Sequence, residues 1–480
     1  MKNIFEKILS MLLIILTGIF VMFLNKLGVL SNNLFFILLG IITIITIIII
    51  IFLNLKKQKT IFKVLKVLSY IGTFGLIIVY SFGIYYISNT LNFVDNITVI
   101  NQEVTSYYVV VLNESRYQEI SDLEGVTMSY YNNTKQEVLD KIKLDLKYNA
   151  VEDYNLLLKD LYNQTTESIL ISDIIKQQFE EDDQEFSTKT RILKEINITM
   201  EIEDITKKVS IKNTPFNVLI SGIDTFGSIN QTSRNDVNIV ATINPNTNKV
   251  LLTSIPRDYY VQLNGTKGYK DKLTHAGVYG INVAVKTIED ILDIDINYYV
   301  KVNFNTVIDL VNQIGGITVY SDQALNLYGC NLIKGYNNLN GECALKFSRE
   351  RYSYVDGDRH RGRNQQEVIK AIFQKVTSAS TLISQYTNIL QVMDGKFATN
   401  LEINDGMDYL KYEMIDLSKY EFINQQVDGG GAMEYTYSYP HQKLWVMIPD
   451  EKTVVAAQNK IKEVMELNEV IEEETDETQS

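Results

Sequence analysis

Histidine and cysteine are scarce, with three of the first and two of the second in 480 residues. A structural zinc site needs four such ligands, and His275, His360 and His441 show no ligand spacing. A structural zinc site is not expected. A basic excess is missing as well. The net charge is −13, whereas nucleic-acid binders present a basic face, so no nucleic acid is expected as a partner. Arginine is rare: only nine of the 45 basic residues are arginine. Seven of those nine stand in three short runs, Arg234 in SRND, Arg257 in SIPRD, and Arg349, Arg351, Arg359, Arg361 and Arg363 in FSRERYSYVDGDRHRGRNQQ. Arginine's rigid fork matches phosphate oxygens bidentately and does not deprotonate. A lysine-rich chain that saves arginine for three places is building a local anion site, for phosphate or pyrophosphate.

Three apolar runs open the chain, Ile8 to Leu24, Leu34 to Leu53 and Val67 to Ile87. Each is long enough to cross a hydrocarbon layer of about 30 Å. No small-residue cleavage site follows the first, so it is expected to be retained. Lys2 and Lys7 precede the first run, and Lys56, Lys57, Lys59, Lys63 and Lys66 lie between the second and third; only Lys26 lies between the first and second. The positive-inside rule then puts the N-terminus and the second loop in the cytoplasm. Everything after about Ser88 is expected outside, in a multi-pass plasma-membrane protein with an extracytoplasmic arginine site. Cys330 and Cys343 flank a loop rich in Gly and Asn on that side, and read either as a disulfide or as two free thiols.

The chain divides by pattern into three membrane helices (1–90), a small α/β accessory domain (91–212), a main domain (213–462) and an acidic disordered tail (463–480). In the accessory domain, Thr105–Asn113, Gly125–Tyr131 and Ile196–Val209 read as strands. Thr134–Tyr148 and Glu152–Gln164 read as amphipathic helices, and ESILISDIIKQQFEEDDQEF as a strand leading into an acidic helix. Its acidic residues are expected to form a solvated face. In the main domain FNVLISGID is an apolar strand, and DVNIVATINPNTNKVLLTSIPRD is a hairpin turning at NPNTNK. Val283–Ile294 and NTVIDLVNQIGG read as helices, INYYVKVNF and GGITVYS as strands, and Gln365–Ser378 as a helix following the arginines.

Asp224, Asp236 and Asp258 each lie at or just past an apolar strand. Simple salt bridges with the arginines are one reading. The other is a Mg²⁺ site, since hard cations take carboxylate oxygens together with substrate phosphate oxygens and water. Arg349 and Arg351 would share a face on a strand, and Arg361 and Gln365 on a helix whose N-terminus adds a positive end. Arg359 and Arg363 are less well assigned. Asp356 and Asp358 read as turn-orienting, and His360 as structural.

The runs GIDT, SRNDV, SIPRD, FSRERY and GDRHRGRNQQEVI, with DKLTHAGVYG, IGGITV and LNGECALKFSR between them, resemble the LytR-CpsA-Psr family from about Thr214 to Ser378. Three spans and an extracytoplasmic accessory domain resemble its longer members. The resemblance implies an α/β/α sandwich with a mixed central sheet and an apolar channel for a prenyl chain. It implies transfer of a glycopolymer (teichoic acid, capsule or another wall polysaccharide) from an undecaprenyl-pyrophosphate carrier to peptidoglycan, in a Gram-positive-type bacterium. By position it implies Asp224 and Asp236 as ligands of Mg²⁺, or of Mn²⁺. Arg234, Arg257, Arg349, Arg351, Arg361 and Gln365 would be the pyrophosphate-binding set, with Asp258 orienting Arg257 and counted among the catalytic group. Asn235 departs from the Ser of many relatives. Whether the acceptor attacks carbon or phosphorus stays open, as does the general base. A polyprenyl-pyrophosphate hydrolase and a non-catalytic membrane regulator are the competing readings.

Overall fold

A computed structural model of the chain describes residues 2–27, 32–56, 59–96, 102–211, 213–225, 227–376, 395–401 and 420–466, with a few positions between 385 and 393. Those residues fall into two compact units. The first holds α1 (Lys2–Leu27), α2 (Asn32–Leu53) and α3 (Thr60–Asn96). Each contains a stretch long and apolar enough to cross a membrane, Ile4–Leu27, Asn33–Leu53 and Thr60–Asn92. They pack on one another through Leu13, Ile42 and Tyr80. Rows of isoleucine such as Ile37, Ile41, Ile44 and Ile48 are left exposed, a surface matched to lipid rather than to water. Glu6 is buried in this unit, with Lys66 Nζ at 2.8 Å and Tyr70 Oη at 3.0 Å.

The second unit begins with a five-stranded sheet, built from β1 (Gln102–Leu112), β2 (Thr127–Tyr131), β3 (Lys147–Val151), β4 (Ser168–Ser172) and β5 (Thr190–Glu201) in the order β3-β2-β4-β1-β5. Alternation along β1 serves two cores, as strand geometry requires. Tyr108 and Val110 point to one side with Tyr154 and Phe179. Val109 and Val111 point to the other with Leu123 and Met128. Helices α4 (Asn155–Tyr162) and α5 (Asp173–Asp182) cover the first side. The helix expected over Thr134–Tyr148 shrinks to one short turn, Gln136–Asp140. Val138, Leu139, Ile142 and Leu146 are buried at their helix-like spacing. Lys143 nevertheless takes a positive φ of 57°, and the chain then pairs parallel to the open edge of β2 as β3. Backbone pairing at that edge outweighs local propensity.

The main sheet contains β6 (Phe216–Ile223), β7 (Asn235–Asn244), β8 (Lys249–Ser254), β9 (Tyr298–Val302), β10 (Phe397–Thr399) and β11 (Glu421–Gln426), in the order β10-β9-β6-β7-β8-β11. It is mixed. β6, β7 and β8 form an antiparallel meander, while β9 runs parallel to β6 and β11 parallel to β8. One face carries α6 (Ile281–Leu292) and, near the C-terminus, the helix Glu451–Glu466, where Leu219, Val240 and Leu251 meet Ala284, Ile288, Val454 and Ile461. The opposite face receives α7 (Phe304–Gln313), α8 (Gly341–Arg349) and α9 (Asp358–Val376). There Gln366 of α9 donates to the carbonyls of Leu252 at 2.9 Å and Gln425 at 2.7 Å. The result is the expected α/β/α sandwich.

Several expectations change, among them the strand expected over Ile196–Val209, which spans Thr190–Glu201. GGITVYS is a strand, but it pairs with Gly335–Leu339 in a separate two-stranded sheet rather than joining the main one. The last helix runs to Glu466, so the first four residues assigned to the acidic tail are helical; residues 467–480 lie outside the described residues. The accessory sheet is also not a detached module. The β1 residue Val104 donates its amide to Asn230 O at 2.9 Å and accepts from Thr232 N at 2.9 Å. Glu103 is 3% exposed and pairs at 2.7 Å with Lys301 of β9, while its second oxygen accepts from Ile281 N at 2.9 Å. An acidic residue expected on a solvated face is here a buried tie between two sheets.

Candidate active site

The site grows from the ends of β6, β7 and β8. Asp224 follows β6 directly, and its amide donates to Arg234 O at 3.0 Å, across a register shift at Gly222/Ile223. Asp236 is the second residue of β7. Antiparallel pairing therefore brings the two carboxylates together although twelve positions separate them. Arg257 comes off the end of β8 and reaches Asp236 and Asp258. Its Nη1 donates to Asp236 Oδ1 at 2.8 Å, and its Nε lies 3.5 Å from Asp258 Oδ2, in ionic contact but without hydrogen-bond geometry. Lys272 Nζ reaches Asp258 Oδ1 at 3.1 Å, and Thr274 Oγ1 approaches Asp236 Oδ1 at 3.4 Å.

The third arginine run arrives from the helical layer. Arg349 is the last residue of α8, with its guanidinium 4.3 Å above the Phe304 ring and Nη2 3.7 Å from Asp224 Oδ1. Arg361 and Gln365 are both buried on α9, one turn apart, and Arg361 Nη2 pairs with Asp358 Oδ1 at 2.6 Å. Two sequence expectations change here. Arg349 and Arg351 do not share a strand face: Arg349 ends a helix, and Arg351 lies in the loop beyond, stacked 4.8 Å over Tyr352 with Nη2 2.8 Å from its hydroxyl. The helix begins at Asp358 rather than after the arginines, so Arg359, Arg361 and Arg363 lie inside its first turns. Arg359 turns to Asp428, and Arg363 to Asp356 and His360. His360 stacks on Tyr354 with ring centroids 3.4 Å apart.

The electrostatics of the two central carboxylates diverge. Burial, and then the neighbouring charge of Asp236, push Asp224 above the usual carboxylate range despite Arg349, Arg234 and Arg257. Burial acts on Asp236 too, but Arg257, Arg361 and Arg234 outweigh it and hold that carboxyl low. Two carboxylates close enough to repel, with one left under-compensated, are suited to a hard divalent cation. Among the described residues no group of three or more His, Cys, Asp or Glu is placed to hold a metal. Two protein carboxylates would therefore leave most of the coordination shell to phosphate and water, as Mg²⁺ prefers.

Residues 183–462 match the sequence profile of the LytR_cpsA_psr family. The chain belongs to this family. The match begins upstream of residue 213 and takes in the last accessory strand. Among relatives, the polyisoprenyl-teichoic acid–peptidoglycan teichoic acid transferase TagU of Enterococcus faecalis is 36% identical over 282 residues, covering 56% of this chain and 88% of its own. Biofilm regulatory protein A of Streptococcus mutans is 36% identical over 218 residues, covering 42% of this chain and 53% of its own. A solved structure of protein gbs0355 from Streptococcus agalactiae is 32% identical, covers 52% of this chain and 88% of its own, and superposes with a TM-score of 0.46.

Some contributors escaped the sequence reading. Lys272 and Thr274 lie in DKLTHAGVYG, seen only as connecting pattern. Asp358 was assigned to the turn, yet it is the partner of Arg361. Arg234, expected at the pyrophosphate, is held in this structure by Gln177 at 2.5 Å on Nε and Glu181 at 2.7 Å on Nη1, both on accessory helix α5. No local signal in α5 marks that contact.

Cys330 and Cys343 are bonded, with Cα atoms 5.6 Å apart. Cys343 lies in the first turn of α8, where Asn340 Oδ1 caps its amide at 2.9 Å. The bond therefore anchors the far end of the helix that delivers Arg349.

Proposed function

We propose that this LytR-CpsA-Psr protein transfers a glycopolymer from a polyprenyl-pyrophosphate carrier to peptidoglycan, by attack of an acceptor hydroxyl on phosphorus. The observation that carries the reading is the pair of neighbouring carboxylates, Asp224 and Asp236, ringed by Arg234, Arg257, Arg349 and Arg361. The transferase names of the relatives support the substrate class. The balance is simple. A bond forms between the acceptor oxygen and the sugar-side phosphorus, the bond to the bridging oxygen breaks, and polyprenyl phosphate leaves. The hydroxyl proton passes to solvent or to a base that these residues do not single out.

Asp224 and Asp236 would hold Mg²⁺, with Mn²⁺ as an alternative; bound there, the ion supplies neutralisation of charge on the pyrophosphate oxygens. The remaining work falls to the protein. Arg257 is held in place by Asp236 and Asp258. Arg361 is held by Asp358, and Arg349 by its stacking on Phe304. Fixed guanidinium groups stabilise charge gathering on the leaving phosphate without having to reorganise. Gln365, beside Arg361, contributes a neutral amide, and Arg351 lies at the outer rim.

The lysine asymmetry supports a cytoplasmic N-terminus, three crossings and an extracytoplasmic site. By the pattern of apolar spans, strands and helices we divide the chain at about residue 90, with an accessory region to about 212 and a main domain to about 462. The experiment is a transfer assay with purified full-length protein, polyprenyl-pyrophosphate disaccharide and peptidoglycan, with and without chelator. The reading predicts metal-dependent product that Asp224→Ala abolishes. Release of free sugar phosphate instead of ligated product would favour the hydrolase.

A further inference from the structure

The accessory domain reaches into the arginine ring at one point, and the chemistry there is specific. Arg234 is 7% exposed, and its charge bears on both Asp224 and Asp236. Two groups of α5 hold it. Gln177 Oε1 accepts from Arg234 Nε at 2.5 Å, and Glu181 Oε1 accepts from Nη1 at 2.7 Å. Gln177 is itself fixed. Its Nε2 donates to Asp173 Oδ2 at 2.6 Å, and Asp173 Oδ1 accepts from Tyr108 Oη at 3.2 Å, which leaves Oε1 for the guanidinium. The segment bearing Arg234 is gripped too. Val104 of β1 bonds to Asn230 and Thr232, and Gln231 Nε2 donates to Ser106 Oγ at 3.0 Å.

Resting on the function proposed above, we propose that α5 of the accessory domain is part of the active site: Gln177 positions Arg234, and Glu181 is an internal anion that the donor pyrophosphate displaces. The asymmetry of the ion pair supports the second role. The Arg234 side chain is 9% exposed, whereas that of Glu181 is 55% exposed. The cation is built into the fold, while the anion stands at the rim, where an ion pair is weak and readily exchanged. A pyrophosphate carries more charge and can take a guanidinium edge bidentately. Gln177 is neutral and does not compete. The two contacts therefore have opposite consequences for donor binding, which a merely structural contact would not produce.

The test uses full-length protein in detergent, with steady-state transfer from a polyprenyl-pyrophosphate disaccharide to peptidoglycan. Titration with inorganic pyrophosphate serves as a separate binding probe. Glu181→Gln keeps the side-chain shape and removes the charge; the donor KM and the pyrophosphate Kd should fall about three- to tenfold with kcat within about twofold, an effect that shrinks at high salt. Gln177→Ala should raise both by a similar factor, and Gln177→Asn should restore part of the loss. An unchanged or raised donor KM in Glu181→Gln, beside normal wild-type transfer, overturns this proposal alone. Wild-type protein that neither transfers polymer nor binds pyrophosphate overturns the functional reading, and this proposal with it.

Discussion

Arg257 shows most directly what the site asks of one side chain. It spans Asp236 and Asp258, and those carboxylates raise its already high pKa further against the cost of burial. Lysine would keep the charge but lose the fork. Arg257→Lys should lower kcat/KM for transfer about 100-fold, the scale of losing one fixed donor to a transition-state anion. The same substitution should shift thermal unfolding only slightly, and a fully active lysine variant would contradict the role. Asp258 gives a pH prediction. Burial would raise its carboxyl, but Arg257 and Lys272 outweigh burial and hold it below its ordinary value of 3.8. A depressed folded pKa means that the ionised group stabilises the fold above its unfolded value and loses that contribution as pH falls through the folded one. The stability gap between wild type and Asp258→Asn should be full at pH 7 and narrow below about pH 4. Thermal melts across that range decide it; a gap that stays constant or widens in acid contradicts the assignment.

Elements deliver these residues, and their tolerances are narrow. Gly277 packs where a Cβ would lie 2.2 Å from Asn235 Oδ1 and 2.4 Å from Ser233 O, beside the segment that carries Arg234 and Asp236. Gly277→Ala should therefore cost about 1–3 kcal/mol, as overpacking does, with a loss of activity larger than the loss of folded protein. The Cys330–Cys343 bond closes a short loop, and chain-entropy arguments give such a link about 3 kcal/mol. Cys330→Ser with Cys343→Ser should lower Tm and also raise the donor KM, because α8 carries Arg349 at its other end. An unchanged KM would show that α8 holds its place without the bond.

Strands and helices of the main domain were readable because their periodicities are strong and their stops are clear, as with Gly315 and Gly316 at φ of 76° and 86° after α7. Arg349 and Arg351 were misplaced because a two-residue spacing cannot distinguish a strand from a helix end. Thr134–Tyr148 was misread because an open strand edge is invisible to local pattern. Strand ends mark Asp224, Asp236 and Asp258 as candidates, and the family resemblance singles out the first two. The partner of Arg234 was not legible, since Gln177 and Arg234 are 57 positions apart and nothing local links them.

For the whole molecule, an acidic protein has concentrated seven of its nine arginines in three short runs, and one of them, Arg234, meets the accessory domain. The accessory sheet shares backbone hydrogen bonds and the buried Glu103–Lys301 pair with the main domain. Removing the partner of a buried charge leaves that charge uncompensated, at a cost of about 3–5 kcal/mol. Lys301→Met should thus destabilise both sheets in a single cooperative transition, visible by calorimetry; two separate transitions would show that the domains fold independently. The apolar surfaces of α1–α3 suit a membrane, where a lipid-linked donor resides. In the function we propose, this fold ligates a lipid-linked polymer to peptidoglycan with Asp224 and Asp236 at its heart. The most direct measurement is product analysis by mass spectrometry after full-length protein acts on a defined polyprenyl-pyrophosphate glycan and peptidoglycan, wild type beside Asp236→Asn. The account predicts a phosphodiester-linked glycan on peptidoglycan and polyprenyl monophosphate released in equal amount, both lost in the variant. Intact donor in both reactions, or ligated product undiminished in Asp236→Asn, would contradict it.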